Sequence, residues 1–488
     1  MLRSDYWYRF PWLLLATALA LAGLGVAGIY AATCGGADPA AFWETLAVRQ
    51  LTWLAASLVV FVLAIVPSYT RLAQWSYVLY GISLLALAAL AFMRNQHLQI
   101  PGFIYPINNA YSWIRIPGTG INLQPSELMK IGFIMSLAYY LRYRKNYRTF
   151  KGLLAPFLMA LAPTVLVLYQ PDLGTAMMFL PVLFLMLFAA GARTKHLLAI
   201  MLMGLAMVPV FYSSMRGYQR MRIDSWLLHG CAERLHFALA QPADDAEAAR
   251  DKDDTSRPIA PRRAHLSDER KAELVREITG MWRFRAWRVA TAISWGKDKP
   301  EFAEARQRLF EALDGGPGPA SFDALRFFFG SLLDDPGHQE FQAKIAVGSG
   351  GFAGRGWLQG TQTRYGLLPE AHTDFLFPTL AEQFGFIGAA GIVILYALLC
   401  VLGIDVSFST TEPYGRLLVV GVVALLAAQS FLNIAMSIGM MPITGIPLPL
   451  MSYGGSSLVS SFLALGLLCN VAVRRLYLIA PRPFEWRE

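Results

Sequence analysis

Long apolar runs constrain this chain more than any other feature of its sequence. About 20 consecutive apolar residues are enough to cross the hydrocarbon core of a bilayer as a helix, and such runs recur along most of the 488 residues. Only 15% of the residues are charged, against about 25% in a typical soluble protein. The sequence therefore predicts an all-α, polytopic membrane protein with about ten transmembrane helices, at residues 11–33, 50–67, 73–93, 126–141, 152–170, 174–190, 197–213, 375–403, 416–438 and 455–473.

The distribution of charge predicts how these helices are oriented. The formal net charge is +9, and the basic residues cluster in alternate connecting segments, as the positive-inside rule expects of cytoplasmic loops. Residues 142–151 and the tail after residue 473 are the clearest of these clusters. We therefore expect both termini to be cytoplasmic, the first apolar run to be an uncleaved span, and one large extracytoplasmic loop to lie between helices 7 and 8.

The predicted domain organisation has four segments. Residues 1–223 carry membrane helices 1–7, and residues 224–338 form an extracytoplasmic helical insertion that is partly disordered. Residues 339–374 form a glycine-rich outer catalytic loop, and residues 375–488 carry helices 8–10 and a cytoplasmic tail.

The insertion has the composition of a soluble helical domain. Ser267, followed by Glu269, is typical of a helix start, and two further helical segments are predicted at residues 301–316 and 322–335. Residues 241–265 are predicted to be disordered because they combine mixed charge with proline. A docking surface for a partner and an insertion without function both stay open, as does a disulfide between Cys34 and Cys231.

The unusual polar motifs lie on predicted outer segments or at the outer ends of spans. In the motif QPSELMK, Glu127 and Lys130 are three residues apart and share a helix face. Two interpretations stay open: an internal ion pair that sets helix packing, and contact of Lys130 and Arg115 with an anionic head group. Asp172 in QPDLGT is expected to cap the following helix, with a contact to substrate, metal or loop as the alternative.

A glycine-rich loop leads to a polar junction with the eighth span. The loop GSGGFAGRG lacks the consensus and context of a nucleotide-binding loop, so we expect it to supply flexibility beside a ligand or close packing on the bundle. Asp374 then lies beside a low-dielectric wall, which suits a general base. Two alternatives stay open here: His372 is the base, or Asp374 is only the N-cap of the span.

The last outer segment, PITGIPLPLMSYGGSS, has three prolines and no regular helix. Serines and glycines at the start of the following helix offer N–H donors to an anion, and the alternative is re-entrant packing with capping.

Together these motifs resemble the SEDS family of shape, elongation, division and sporulation proteins, which includes RodA and FtsW. The resemblance is carried, in this order, by QPSELMK, QPDLGTA, KIAVGSGGFAGRGWLQGTQT, LPEAHTDFLFPTLAEQFGFIG and PITGIPLPLMSYGGSS. GWLQGTQT and the last motif look more like the RodA branch than the FtsW branch. Residues 224–338 depart from the family, whose outer loop is usually much shorter, so no role is carried over to them.

The resemblance implies an inverting peptidoglycan glycosyltransferase that polymerises lipid II on the outer face of the membrane during cell elongation. Asp374 matches the essential aspartate of the family, and the implied partner is a class B penicillin-binding protein, a transpeptidase. A lipid II flippase and a non-catalytic scaffold for that transpeptidase are the alternatives.

The expected site residues follow from the same motifs. Positive charge for the leaving pyrophosphate would come from basic side chains or from a bound divalent cation, magnesium or manganese. The expected substrate-binding residues are Arg115, Glu127, Lys130, Lys344, Arg355, His372, Ser452 and Ser456. The expected site-shaping residues are Gln124, Asp172, Gly350, Pro447 and Gly454.

Overall fold

A computed structural model describes most of the chain. The described residues are 10–33, 46–96, 103, 112–116, 121–144, 146–170, 172–215, 217–240, 266–293, 300–333 and 336–475. They form two compact units. The first unit comprises Met1–Met201, Ala343–Ile438 and Thr444–Glu488, and the second comprises Leu202–Gln342 and Gly439–Ile443.

The first unit is a bundle of apolar helices with one small hairpin. Its helices are α1 (Trp12–Thr33), α2 (Leu46–Ile65), α3 (Tyr69–Gln74), α4 (Ser76–Asn95), α5 (Pro125–Leu141), α6 (Leu154–Tyr169), α7 (Leu173–Ala190), the start of α8 (Thr194–Ala206), the end of α15 (Pro336–Ser349), α16 (Thr361–Arg364), α17 (Leu376–Phe408), α18 (Pro413–Ser437) and α19 (Gly455–Arg474). Strands β1 (Ile114–Ile116) and β2 (Ile121–Leu123) pair antiparallel, with Arg115 opposite Asn122.

Eight helices of the described chain are long and apolar enough to span a membrane, which confirms the prediction of a polytopic helical protein. The other two predicted spans correspond to shorter helices. Helix α5 has only 17 residues and carries the charged pair Glu127 and Lys130. The predicted span 197–213 is divided into α8 and α9 (Val208–Ser214), and Pro209 lies in the first turn of α9, where a missing N–H costs nothing.

Hydrogen bonds between connecting segments define two ends of the first unit. At one end, Gln50 Nε2 near the start of α2 donates to Ser452 O at 3.1 Å, and Tyr453 N donates to His372 O at 2.9 Å. We call this the Asp374 end. At the other end, Asn470 Nδ2 donates to Ala64 O at 2.7 Å and to Pro67 O at 2.6 Å, and we call it the Asn470 end. Helices α2 and α19 therefore run parallel between the two ends.

The second unit is a helical domain with an aromatic core. It contains the end of α8, then α9, α10 (Gly217–Ala240), α11 (Asp268–Gly280), α12 (Trp282–Ile293), α13 (Pro300–Asp314), α14 (Pro319–Leu333) and the start of α15. Trp287, Leu309 and Phe328 are buried at its centre. The Ser267 hydroxyl accepts from Arg270 N and caps α11, which confirms the predicted helix start.

The other predicted features of the insertion have different outcomes. The helical segments at 301–316 and 322–335 are confirmed as α13 and α14, whereas residues 241–265 and Cys34 lie outside the described residues. Cys231 is a free thiol buried in the core of the second unit. Composition placed the start of the insertion at residue 224, but helix α10 runs through this residue without a break. A change in polarity along the chain does not have to end a helix. The four-segment division remains a prediction.

Candidate active site

The turn that carries Asp374 precedes α17 and is held from a different helix. The buried Asn433 of α18 donates from Nδ2 to Asp374 O at 2.9 Å and to Ile446 O at 2.7 Å. The N-cap of α17 is Phe375, with no side-chain cap, so the alternative that Asp374 is the N-cap is wrong. The sequence analysis missed Asn433. The only feature of the sequence that pointed to Asn433 was an amide side chain inside an apolar span, where polar groups are costly and often functional.

The proline-rich segment before α19 packs beside this turn. Besides the bond from Tyr453 to the His372 carbonyl, the two rings lie 5.8 Å apart. Within the segment, Leu448 N donates to Ser452 Oγ at 2.8 Å. From α18, Gln429 Nε2 donates to Pro447 O of the segment at 3.5 Å. The Ser452 hydroxyl thus closes a turn of its own chain, and a substrate contact through it remains a proposal.

The N-terminal ends of three helices meet at the Asp374 end. Ser456 Oγ on α19 donates to Asn122 O at 2.6 Å and accepts from Gln124 N at 3.2 Å, just before α5. Gln124 Nε2 donates to Asp172 Oδ2 at 3.2 Å. Asp172 Oδ1 accepts from Thr175 N at 2.9 Å, which confirms that Asp172 caps α7. The N-caps of α5 and α19 make no side-chain cap bond, and uncompensated N–H groups at helix N-termini favour an anion.

A close contact joins these helix starts to the Asp374 turn. A Cβ added at Gly174, in the first turn of α7, would lie 2.6 Å from Ile446 Cγ1. Ile446 is also the second residue that Asn433 binds. A continuous path of contacts therefore runs from the start of α7 through Ile446 and Asn433 to Asp374.

Glu127 and Lys130 form a buried ion pair. Lys130 Nζ lies 2.8 Å from Glu127 Oε1, and both side chains are almost fully buried. Ser460 Oγ of α19 donates to the other carboxylate oxygen at 2.6 Å. The ion-pair interpretation is therefore confirmed, and contact of these two residues with a substrate remains a proposal. Arg115 lies on β1, and its strand partner Asn122 is the residue that accepts from Ser456.

The glycine-rich loop fills a break in α17. Gly385 has φ 65° and ψ −159°, which interrupts the helix. Phe386 N donates to Gly351 O at 2.9 Å and Ile387 N donates to Phe352 O at 3.2 Å, while two loop amides donate to carbonyls of α17 on the other side of the break. The loop thus replaces hydrogen bonds that the helix loses there.

The loop backbone packs so closely against α17 that two of its positions have room only for glycine. A Cβ at Gly350 would lie 2.1 Å from Ala381 O, and one at Gly354 would lie 2.0 Å from Gln383 O. Contacts this short exclude any side chain without movement of the backbone. Of the two predicted roles for the loop, close packing on the bundle is observed at these two glycines, and flexibility beside a ligand stays a prediction.

Glu382 of α17 is a second residue that the sequence analysis missed. Its side chain is fully buried, and Oε1 accepts from Gln362 N at 2.8 Å. Oε2 accepts from Thr363 N at 3.2 Å and from Thr363 Oγ1 at 2.9 Å. Glu382 therefore caps the short helix α16, whose own N-cap Gly360 has no side chain, and it ties the loop to α17.

Two of the remaining predicted residues, Arg355 and Lys344, lie in the loop and on α15, and Gly454 is the N-cap of α19. Arg355 is exposed, its Nε donates to Ser349 O at 2.8 Å and its backbone N donates to Glu382 O at 2.9 Å. Lys344 is half-buried on α15. Gly454 N donates to Gln50 Oε1 at 3.4 Å. Substrate contacts of Arg355 and Lys344 remain proposals.

Backbone strain is concentrated in the same segments. Among the described residues, the non-glycine residues with positive φ are Leu358, Glu370 and Leu450. All three lie in the loops that adjoin α17 or α19. Residues in this region of φ cost roughly 1–3 kcal/mol each and cluster at functional sites. Within the described part of the chain, no group of three or more His, Cys, Asp and Glu side chains is arranged to hold a metal ion.

Comparison with known proteins supports one family. The family model for FtsW, RodA and SpoVE, described as "Cell cycle protein", matches residues 11–230 and 327–477. The chain is 30% identical over 478 residues to a protein of Treponema pallidum named "Peptidoglycan glycosyltransferase RodA", covering 96% of this chain and 98% of that one. It is 26% identical to "Peptidoglycan glycosyltransferase MrdB" of Helicobacter pylori, covering 88% and 84% of the two chains.

Solved structures show the same fold. A structure described as "Structural coordination of polymerization and crosslinking by a peptidoglycan synthase complex" matches with a TM-score of 0.60 and 25% identity, over 96% of this chain and 98% of that one. The rod shape determining protein RodA of Thermus thermophilus matches with a TM-score of 0.53 and 22% identity, over 96% of this chain and 98% of that one.

Proposed function

This chain belongs to the FtsW, RodA and SpoVE family of cell cycle proteins, and we propose that it is a peptidoglycan glycosyltransferase that polymerises lipid II with Asp374 as the general base. The names of its relatives support glycosyl transfer. The observation that most directly supports Asp374 as the reacting residue is the hydrogen bond from Asn433 to Asp374 O. It holds a carboxylate-bearing turn at the end of the bundle where the helix starts that favour an anion also meet.

The proposed reaction needs one carboxylate. Asp374 accepts the proton of the acceptor 4-hydroxyl while that oxygen forms a bond to the anomeric carbon of the donor. The bond from the same carbon to the pyrophosphate oxygen breaks, and the lipid pyrophosphate leaves with the electron pair, so the configuration inverts. The proton on Asp374 then passes to solvent. No water has to be activated, unlike in hydrolases that use paired carboxylates.

The negative charge on the leaving pyrophosphate has to be offset. Glu127 already balances Lys130 at 2.8 Å, which makes that pair a weak source of net positive charge. The starts of α5 and α19, whose N-caps make no side-chain cap bond, are the better-supported candidates together with Arg115, because the hairpin of Arg115 is bonded to Ser456. Arg355 and Lys344 complete the proposed set.

The chain is a multi-pass membrane protein, and we place its Asp374 end outward with both termini cytoplasmic. The basic residues Arg142, Arg144 and Arg148 between α5 and α6 support this orientation, because such clusters are retained on the cytoplasmic side. A class B penicillin-binding protein is the proposed partner. The solved complex that coordinates polymerization and crosslinking supports this assignment.

Purified full-length protein supplied with lipid II in detergent tests the proposal. Polymer should form without any membrane sidedness, whereas a flippase or a scaffold would make none. Asp374→Asn should lower the rate by about 10²–10⁴-fold, the usual contribution of a general base. Glu370→Gln is the matched control, since Glu370 is an exposed carboxylate on the same turn. An Asp374→Asn protein with an unchanged melting temperature and the wild-type rate would refute the assignment.

A further inference from the structure

A cavity at the Asn470 end of the first unit has no role in the proposed reaction. It has a volume of about 520 Å³ and lies between the C-terminal ends of α7 and α17 and the N-terminal half of α18. Ligand cavities in proteins are typically about 300–1,000 Å³. Tyr414, two residues before the lining residue Arg416, stacks on Tyr69, and Tyr69 N donates to Asn470 Oδ1 at 3.2 Å. These contacts place the Arg416 side of the cavity at the Asn470 end.

The wall of this cavity is apolar with one cation. Phe188, Phe408 and Val420 are typical of its lining, and Arg416 is its one charged member. Ser407, the lining hydroxyl, donates to Arg416 O at 3.4 Å and so is already satisfied. An apolar wall with a single cation matches a molecule that has a hydrocarbon chain and an anionic head.

Arg416 is not neutralised by the protein. Its side chain is exposed and forms no ion pair within the described residues. The two nearby acids have other partners: Glu412 Oε2 accepts from Gly415 N at 2.5 Å, and Asp405 Oδ2 lies 3.9 Å from Arg475.

More positive charge surrounds the same end of α7. A Cβ at Gly191, the C-cap of α7, would lie 3.9 Å from Nη2 of Arg148, and Arg193 and Lys195 follow directly in the sequence. Basic pockets between membrane helices are a recognised environment for anionic lipid head groups.

We propose that this cavity binds an anionic glycerophospholipid. One acyl chain fills the apolar space between α7, α17 and α18, and the phosphate lies against Arg416. The contact closes a lipid-facing gap in the bundle and gives its Asn470 end a preference for anionic membranes. This assignment does not depend on the glycosyltransferase reaction, because no residue of the Asp374 end lines the cavity.

Native mass spectrometry of the full-length protein tests this proposal. Phosphatidylglycerol and phosphatidylcholine with identical acyl chains are the two probes. We expect phosphatidylglycerol to be retained about fivefold more, because one arginine favours a head group with net negative charge by about this factor, whereas the choline of phosphatidylcholine balances its phosphate. Arg416→Gln should abolish this preference, and Lys151→Gln, which removes an exposed charge that does not line the cavity, should keep it. Ala427→Phe, which fills the cavity, should lower retention of both lipids.

Four results of the lipid-binding measurements would overturn the proposal. These are equal retention of the two lipids by the wild-type protein, a preference that survives Arg416→Gln, unchanged retention after Ala427→Phe, and displacement of bound lipid by a polyprenyl phosphate but not by added phosphatidylglycerol. A photo-crosslinker at Phe408 that captures a partner helix in place of lipid would also overturn it. Unchanged melting temperatures of the variants exclude misfolding as the cause of any loss.

Discussion

Removing the Glu382 side chain should detach the glycine-rich loop from α17. Glu382→Ala leaves three buried donors without an acceptor: the N–H groups of Gln362 and Thr363 and the Thr363 hydroxyl. Each buried group left unsatisfied costs about 1–3 kcal/mol. The hydroxyl can rotate toward another acceptor, so the two amides set the expected local cost at about 2–6 kcal/mol.

Hydrogen exchange of the two amides measures this cost. Because about 1.4 kcal/mol corresponds to a factor of ten, the lower limit of about 2 kcal/mol predicts that protection at residues 362 and 363 falls by about 25-fold or more. Glu382→Gln should give an intermediate loss of protection, because an NH2 group, which cannot accept a hydrogen bond, replaces one carboxylate oxygen. Glu269→Ala removes an exposed carboxylate from the second unit and should leave both amides unchanged. If protection at both amides survives Glu382→Ala, the carboxylate does not hold the loop.

Three further predictions concern contacts within the first unit and a buried thiol within the second. Gly354→Ala should open the same loop and slow polymerisation, because its Cβ would meet Gln383 O at 2.0 Å at a φ of +88°; wild-type hydrogen exchange in this variant would contradict that packing. Asn433→Leu should lower kcat more than it lowers the melting temperature, because it releases the Asp374 turn; an unchanged kcat would show that the turn holds itself. Burial raises the pKa of the Cys231 thiol from 9.0 to about 11, so at pH 8 ionisation alone should slow its alkylation in the folded protein by about 100-fold relative to the unfolded chain. Peptide mass spectrometry measures that rate, and equal rates in the two states would contradict burial of the thiol.

The features that could be predicted from sequence depend on residues close together in the chain. The apolar runs, the Ser267 cap, the Asp172 cap and the face shared by Glu127 and Lys130 all belong to this class, and each is observed. Asp374 also drew attention locally, as a carboxylate at the start of an apolar helix.

The features that could not be predicted join distant parts of the chain. Asn433 binds the Asp374 carbonyl across 59 positions, and Glu382 accepts from Gln362 across 20. In sequence, both residues were isolated polar groups inside apolar spans. The close approach of Ala381 to Gly350 could not be predicted for the same reason, because it depends on a break in α17 that no local pattern indicated.

The sequence by itself determined that this chain is a bundle of membrane helices and which residues lie near the helix ends, because hydropathy and capping depend on local composition. Only the tertiary structure decided which helix faces meet, which side chain holds the Asp374 turn and where a lipid-sized cavity remains. The physical reason is that a membrane helix is apolar both toward lipid and toward its neighbours. Its hydropathy therefore carries no information about which neighbour it packs against, and the hydrogen bonds that build the site form only once that packing exists.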